Sequence, residues 1–176
     1  MAGTSDLTTV LTKQQRIAEL AKQDPKRSLT SLAHHMDLDW LSIAYQRTRP
    51  DGAVGVDGQT IADFNKNLRE NLLGLLEEAK SGTYQAPPVR RVHIPKGTGN
   101  ETRPIGIPTF ADKVLQRAVA MVLEPIYEQD FHDGSYGFRP KRSTHQALEA
   151  LWKQTMKMNG GWILEVDIQK FFDQAC

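Results

Sequence analysis

The stretch VRRVHIPKGTGNETRPIGIPT, residues 89–109, decides the fold class of this chain. Two short runs of mixed apolar and basic residues flank the turn Gly97–Asn100, which is the pattern of a β-hairpin. Helical periodicity dominates on both sides, and one further strand-like run, WILEVDI, occupies residues 162–168. This order of elements predicts an α+β fold, because strands and helices do not alternate regularly.

Predicted helices surround the hairpin, and the glycine-rich loop RPDGAVGVDGQT, residues 49–60, separates two of them. Thr60 and Thr109 are predicted N-caps, and Ser143 with Gln146 forms a predicted capping box. The predicted helices are Thr8–Lys22, Ser28–Arg47, Thr60–Gly82, Thr109–Tyr127 and Ser143–Met158. The predicted buried stripe of the fourth helix consists of Val114, Leu115, Ala118, Val119, Val122 and Leu123.

Length and composition favour a globular, cytoplasmic chain. Its 176 residues, 39% of them hydrophobic, suffice for one domain with an ordinary core. A lone cysteine, Cys176, excludes a disulfide framework and a cysteine-rich zinc site, and the five histidines lack metal-ligand spacing. The sequence shows neither a basic and apolar leader nor a run of about 18 apolar residues, so we expect no membrane association.

The formal net charge of +1 conceals a basic segment between Lys80 and Arg117. This segment holds seven basic residues against two acidic ones, Glu101 and Asp112, which is a local balance of +5. A local basic stretch in a nearly neutral chain favours a phosphate-bearing partner. A solvated surface hairpin would show the same pattern, and charge alone does not separate the two interpretations.

Two basic residues of the hairpin, Lys96 and Arg103, lie on opposite sides of the predicted turn. A paired hairpin can aim both at one anion, since lysine acts as a point charge and arginine as a bidentate fork. This combination suits a triphosphate. The alternative is a pair of solvated charges on an edge strand.

A second basic cluster, SYGFRPKRS at residues 135–143, interleaves aromatic and cationic side chains. Aromatic rings can stack on bases while neighbouring cations contact the backbone of a nucleic acid. The alternative is a loop that two buried aromatic side chains pin to the protein. The aromatic and cationic residues of the cluster are Tyr136, Phe138, Arg139, Lys141 and Arg142.

The strand-like run near the end carries two carboxylates on one face. Side chains alternate along a strand, so Glu165 and Asp167 lie opposite the apolar face of Leu164, Val166 and Ile168. A carboxylate at the end of a buried strand is costly unless it is hydrogen-bonded or binds a cation such as Mg²⁺. A turn or the N-cap of a following helix would also explain an aspartate at this position.

Taken together, these motifs resemble the N-terminal portion of bacterial group II intron reverse transcriptases, also called maturases. GVDGQTIADF, residues 55–64, is similar to their N-terminal extension block. IPKGTGNETRPIGIPTFADKVLQRAV and LEPIYEQDFHDGSYGFRPKRSTHQAL are similar to their first and second fingers blocks. EVDIQKFF, residues 165–172, is similar to the palm strand that bears the first catalytic aspartate. The resemblance covers about Leu38 to Asp173.

The resemblance implies specific roles for several residues. Asp167 would be a catalytic, metal-binding carboxylate, with the Ile168 carbonyl on the same Mg²⁺ ion, and Phe172 would be the steric gate against ribose. Lys96 and Arg103 would contact the triphosphate of the incoming deoxynucleotide. The remaining basic and aromatic residues would bind RNA on the template side, namely Arg90, Arg91, Tyr136, Phe138, Arg139, Lys141 and Arg142.

The resemblance also implies an organisation and a limit. It divides the chain into a helical extension (1–60), reverse transcriptase fingers (61–160) and the start of a right-hand polymerase palm (161–176). The family pairs the first aspartate with two others from an aromatic-Ala-Asp-Asp hairpin and adds a thumb, and these 176 residues contain neither. We therefore expect the chain alone to hold the two Mg²⁺ ions of the family site weakly and not to polymerise.

Partners follow from the same resemblance: intron or template RNA, a primer strand and a deoxynucleotide. Two alternatives stay open. The chain could act as a stand-alone RNA-binding module, or it could be part of a retron or CRISPR-associated reverse transcriptase.

Overall fold

The computed structural model of the chain describes residues 3–24, 30, 32–97, 100–158 and 160–169. The chain divides between Asp130 and Phe131 into two compact units. The helices of the first unit are α1 (Gly3–Gln23), a 3₁₀ helix (Ala33–His35), α2 (Leu38–Gln46), α3 (Ile61–Lys66), α4 (Leu68–Ser81) and α5 (Phe110–Tyr127). Its strands are β1 (Arg90–Pro95) and β2 (Thr102–Ile107), and the second unit contains α6 (Thr144–Lys157).

The two strands form one antiparallel sheet, which confirms the predicted hairpin. Their register pairs Arg90 with Ile107 at one end and Pro95 with Thr102 at the other. With helices packed separately from this small sheet, the chain is a mixed α+β protein. Among the described residues, no helix is long and apolar enough to cross a membrane.

Trp40 of α2 lies at the centre of the core of the first unit and is fully buried. Its indole Nε1 donates a hydrogen bond to the carbonyl oxygen of Ala118 on α5, at 3.0 Å. The core thereby satisfies the polar atom of its largest side chain. Other fully or almost fully buried residues around it come from α1, α2, α3 and α5: Val10, Ile17, Leu41, Phe64, Val114 and Met121.

The predicted N-caps are confirmed. Thr60 and Asp63 form a reciprocal capping box at α3, and Thr109 accepts a hydrogen bond from the backbone N–H of Asp112 at α5. Ser143 and Gln146 form the capping box of α6. These side chains satisfy backbone donors that the first turn of a helix leaves unpaired, so they set where each helix begins.

The predicted continuous helix from Thr60 to Gly82 is wrong, because the chain breaks at Asn67. Asn67 adopts φ −130° and ψ 46°, which is not helical. The side chain of Asn71 donates to the carbonyl oxygen of Phe64 at 2.8 Å and so satisfies an acceptor at the end of α3. Gly82 ends α4 in a left-handed conformation, as predicted for a helix C-terminus.

The predicted helix Ser28–Arg47 is also interrupted. Of the residues described there, Ala33–His35 form a 3₁₀ helix, and α2 begins only at Leu38. Asp37 is extended and accepts a hydrogen bond from the Trp40 N–H, which makes it the N-cap of α2. This local side-chain bond competes with continuation of the helix through Asp37.

Two residues of the predicted buried stripe of α5 are exposed. Val119 and Leu123 are 40% and 38% exposed, so their predicted burial is wrong. The buried face runs through Val114, Ala118 and Met121 and packs toward α1 and α2. Val119 follows Ala118 by one position, which rotates its side chain by about 100° away from that face.

The carboxylate of Asp112 is buried beside Tyr84. The hydroxyl of Tyr84 donates to Oδ1 of Asp112 at 2.8 Å, and the Gln116 amide donates to Oδ2 at 2.8 Å. Burial, followed by the hydrogen bond to Asp112, raises the pKa of Tyr84 far above its ordinary value. The hydroxyl therefore stays protonated and satisfies the buried carboxylate at all physiological pH values.

The predicted strand Trp162–Ile168 is wrong. Residues 161–168 have no regular secondary structure, and their side chains are exposed. A strand requires a partner for its backbone N–H and C=O groups, and within the described part of the chain β1 and β2 pair with each other. An apolar alternating run is therefore insufficient here to form a strand.

Candidate nucleic-acid interface

The hairpin register places Lys96 and Arg103, the two residues predicted to contact a triphosphate, on one face of the sheet. Arg103 pairs with Ile94, and a backbone bond from the Lys96 N–H to the Glu101 carbonyl, at 2.8 Å, extends the ladder by one pair. Residues directly opposite each other share a face, and so do alternate residues of one strand. Lys96, Glu101 and Arg103 therefore project to the same side, with the Cβ atoms of Lys96 and Arg103 roughly 7 Å apart.

Lys96 and Arg103 are both exposed. The Nζ atom of Lys96 lies 3.7 Å from a carboxylate oxygen of Glu101, and more than half of the Lys96 side chain and of the Glu101 side chain is open to solvent. An exposed ion pair of this length is weak and can exchange its partner for a stronger anion. The arrangement can accept a phosphate group without rearrangement of the backbone.

The other two basic residues of the hairpin have different surroundings. Arg91 pairs with Gly106 and projects from the opposite face of the sheet. Arg90 lies on the same face as Arg103, but its Nε donates to the carbonyl oxygen of Val54 at 2.9 Å. Arg90 thus holds the glycine-rich loop against the base of the hairpin.

The glycine-rich loop contacts the start of α5 at Gly55. A Cβ atom built on Gly55 would lie 2.6 Å from Cα of Thr109 and 2.9 Å from the carbonyl oxygen of Pro108. Only a residue without a side chain allows this approach. The Nζ atom of Lys113 donates to the carbonyl oxygen of Ala53 and fixes the loop a second time.

An open cleft of about 550 Å³ lies between this loop and α5. Its basic lining residues are Arg49, Lys113 and Arg117, and the described residues that line it include no acidic side chain. Arg49 pairs with Asp51 just outside the lining, at 2.6 Å. The lining therefore carries an excess of positive charge, and two of its three basic residues, Lys113 and Arg117, come from the basic segment Lys80–Arg117.

In the second unit, Arg139 braces the loop that precedes α6. Its Nη1 atom donates to the carbonyl oxygens of His132 and Ser135, both at 2.9 Å. The guanidinium carbon lies 4.9 Å from the ring centre of Phe131, in cation–π geometry. The polar and apolar sides of Arg139 are therefore both engaged within its own loop.

Arg142 and Tyr136 form a second contact in this loop. The guanidinium carbon of Arg142 lies 5.3 Å from the ring centre of Tyr136, and its Nη2 atom lies 3.9 Å from Asp133. Tyr136 and Arg142 are half-buried. Arg142 retains access to solvent, so it can still contact an anionic partner.

Phe138 is fully exposed, which excludes the alternative of a loop pinned by two buried aromatic side chains. Its backbone is in the left-handed region, with φ 56°, and Lys141 shares that conformation with φ 60°. Positive φ is unusual for bulky residues. The cluster therefore combines an outward aromatic ring with nearby positive charge.

Asp167 and Ile168 lie in the irregular segment 161–168 and are exposed, and Phe172 lies outside the described residues. Among the residues that the structure describes, no three His, Cys, Asp or Glu side chains come together as metal ligands. Asp167 and the Ile168 carbonyl, the two donors that the resemblance assigns within the described residues, are too few to hold the two ions of a two-metal site.

The tethers of the glycine-rich loop were missed by sequence reasoning. Arg90 and Lys113 donate to backbone carbonyls 36 and 60 residues away, and periodicity does not report such distant contacts. The one available signal was Gly55 within GVDG, since a glycine can mark a close backbone approach. Apart from the position of Arg139 beside a glycine and aromatic residues, nothing in the sequence indicated that its side chain would bond to carbonyls of its own loop.

Comparison with known proteins identifies the relatives of this chain. Residues 94–175 match the family described as reverse transcriptase (RNA-dependent DNA polymerase). Protein YkfC of Escherichia coli (strain K12) is 38% identical over 167 residues, which cover 91% of this chain and 44% of YkfC. The group II intron-encoded protein LtrA of Lactococcus lactis subsp. cremoris is 35% identical over 162 residues, or 90% of this chain and 26% of LtrA.

A eukaryotic relative matches a shorter segment. Nuclear intron maturase 1, mitochondrial, of Arabidopsis thaliana is 32% identical over 71 residues, which cover 39% of this chain and 9% of the maturase. The chain spans less than half the length of each of these three relatives. The segment that matches the reverse transcriptase family, residues 94–175, contains the hairpin cations Lys96 and Arg103 and the loop that precedes α6.

Proposed function

Because the chain belongs to the reverse transcriptases and maturases encoded by group II introns, we propose that it forms the fingers and the start of the palm of an RNA-directed DNA polymerase. In this role it binds template RNA and the triphosphate of an incoming deoxynucleotide. The regions would be a helical extension (1–60), fingers (61–160) and the first part of the palm (161–176).

The observation that carries this proposal is the register of the hairpin. Lys96 and Arg103 project from one face, are both exposed and lie within the residues that match the family. A lysine and an arginine at this separation can contact two phosphate groups of one triphosphate. Glu101 would exchange its weak contact with Lys96 for solvent when the anion binds.

Removing both hairpin cations tests the triphosphate role. For Lys96→Gln with Arg103→Gln, we expect the affinity for dGTP to fall at least about tenfold, because hydrogen bonds to charged groups contribute roughly 1.5–3 kcal/mol each. An NMR titration of the 176-residue chain at millimolar dGTP measures the change. Arg69→Gln with Lys80→Gln removes the same charge from the exposed face of α4 and is the matched control. Equal affinities for the two double variants would refute the assignment.

Catalysis by these 176 residues alone is not expected. The resemblance assigns one metal-binding carboxylate, Asp167, and a two-metal mechanism requires further carboxylates to hold the ions. We expect purified chain with Mg²⁺, deoxynucleoside triphosphates, primer and RNA template to extend the primer no faster than Asp167→Ala does. Extension by the original chain that Asp167→Ala abolishes would contradict this expectation and would establish a complete active site.

A further inference from the structure

Phe138 occupies a position that folding alone does not favour. Its ring is fully exposed, so it gains nothing from burial, and its backbone adopts the left-handed region with φ 56°. Left-handed geometry is unfavourable for a bulky residue and persists only where the surrounding structure enforces it. Exposure and backbone strain at the same residue point to a function for the ring outside the folded loop.

The hydrogen bonds of Arg139 hold the backbone of Phe138 in this conformation. Its two hydrogen bonds, to the carbonyl oxygens of His132 and Ser135, tie the start of the loop to the residue that follows Phe138. The loop is further closed by the Ser135 N–H, which donates to the His132 carbonyl at 2.9 Å. With its guanidinium directed inward, Arg139 holds the backbone so that the ring of Phe138 points outward.

The charge near Phe138 identifies the kind of partner. Lys141 is exposed, and Arg142 reaches solvent beside the ring of Tyr136. An apolar protein surface would have to desolvate these cations, which is unfavourable. A single-stranded nucleic acid satisfies both features at once, because a base stacks on the ring while phosphates meet the cations.

We propose that Phe138 stacks on an unpaired base of single-stranded RNA, and that Arg139 is a positioning residue that does not itself contact the RNA. This inference rests on the proposed function, since it assumes that the chain binds RNA. It divides the roles within the cluster: Phe138 contacts bases, Lys141 and Arg142 contact phosphates, and Arg139 keeps the loop in shape.

The test uses the 176-residue chain and a 12-nucleotide single-stranded RNA that contains 2-aminopurine, whose fluorescence reports stacking. We expect Phe138→Leu to weaken binding about fivefold to a hundredfold, the range found for loss of one base–aromatic stack, and to abolish the fluorescence change. Phe138→Trp should retain both. Trp152→Leu removes an exposed aromatic ring from α6 and is the matched control.

Phe138→Gly separates function from stability. Glycine adopts positive φ without strain, so the midpoint of thermal unfolding should not fall, whereas RNA binding should weaken as in Phe138→Leu. Loss of RNA binding together with a lower unfolding midpoint would show that Phe138 supports the fold, and it would overturn the proposal.

Arg139→Lys tests the positioning role because it preserves the charge and loses the two-carbonyl brace. We expect a reduced 2-aminopurine signal with an unchanged slope of log Kd against log salt concentration, since no phosphate contact is lost. Arg139→Ala removes the charge as well. If its slope of log Kd against log salt concentration is lower than that of the original chain, Arg139 contacts a phosphate, and the positioning role is refuted.

The outcomes distinguish this inference from the proposed function. If the original chain binds the RNA and Phe138→Leu behaves like Trp152→Leu, the stacking role fails and RNA binding stands. An original chain that shows no RNA affinity at low salt overturns both. If a second copy of the chain covers the Phe138 ring in place of RNA, the chain will self-associate and Phe138→Leu will abolish the association. This result would also refute stacking.

Discussion

Replacing Trp40 with alanine is expected to lower the free energy of unfolding by about 3 to 5 kcal/mol, the range for truncation of a large buried aromatic residue. The side chain is fully buried among residues of α1, α2 and α5, so its removal leaves a cavity lined by apolar atoms. The Ala118 carbonyl also loses the indole donor. Urea unfolding followed by circular dichroism measures the difference.

Trp152→Ala is the matched control for this prediction. Trp152 is a tryptophan on a helix as well, but 61% of its side chain is exposed. Its replacement should change the free energy of unfolding by no more than about 0.5 kcal/mol, as surface substitutions usually do. Similar losses for the two variants would show that the core of the first unit is not organised around Trp40.

Gly55→Ala is expected to destabilise the chain by about 3 kcal/mol, the upper end for overpacking, because the new methyl group meets backbone atoms. Its Cβ would lie 2.6 Å, 2.8 Å and 2.9 Å from Cα and N of Thr109 and the carbonyl oxygen of Pro108. Backbone at the start of a helix cannot move aside as a flexible side chain can. The loop would have to separate from α5, and the hydrogen bonds from Arg90 and Lys113 to its carbonyls would be lost.

A second glycine provides a control with the opposite sign. Gly74 lies within α4, and a Cβ atom there would have no atom within 4 Å other than those of its chain neighbours and the backbone of its own helix. Gly74→Ala should therefore stabilise the chain by about 0.5 to 1 kcal/mol, since alanine costs less backbone entropy in a helix. Measuring both variants by the same urea titration isolates the effect of the close approach. A Gly55→Ala variant as stable as the original chain would contradict the observed packing of the loop.

The sequence predicted those parts of the fold that local chemistry determines. The turn residues Gly97–Asn100 predicted the hairpin. The side-chain oxygens of Thr60, Thr109 and Ser143 predicted where three helices begin. The break at Asn67 escaped prediction because it depends on a hydrogen bond from Asn71 that competes with helix continuation. The prediction of a strand at 162–168 was wrong for a related reason, because a strand needs a pairing partner as well as an apolar pattern.

The candidate interface could be predicted as a set of residue types and, for the hairpin, as a pair of cations that a paired hairpin can aim at one anion. Lys96 and Arg103 were identified from their positions around the turn, and the register then gave them a common face. Sequence reasoning grouped Arg139 with the RNA-binding cations, whereas its guanidinium bonds to two backbone carbonyls of its own loop. A charge pattern identifies which residues can contact a phosphate, but it does not reveal which of them tertiary structure has already engaged.

The register of the hairpin also restricts how such a protein can evolve. Substitutions in β1 or β2 leave the direction of each side chain unchanged, so residue identity can vary. Insertion of a single residue between Arg103 and Ile107 would turn Arg103 to the face now occupied by Pro104, away from Lys96. Lengths within the strands can therefore change only in pairs of residues or through a bulge. Single-residue insertions and deletions should accumulate in the turn, where they alter no side-chain direction.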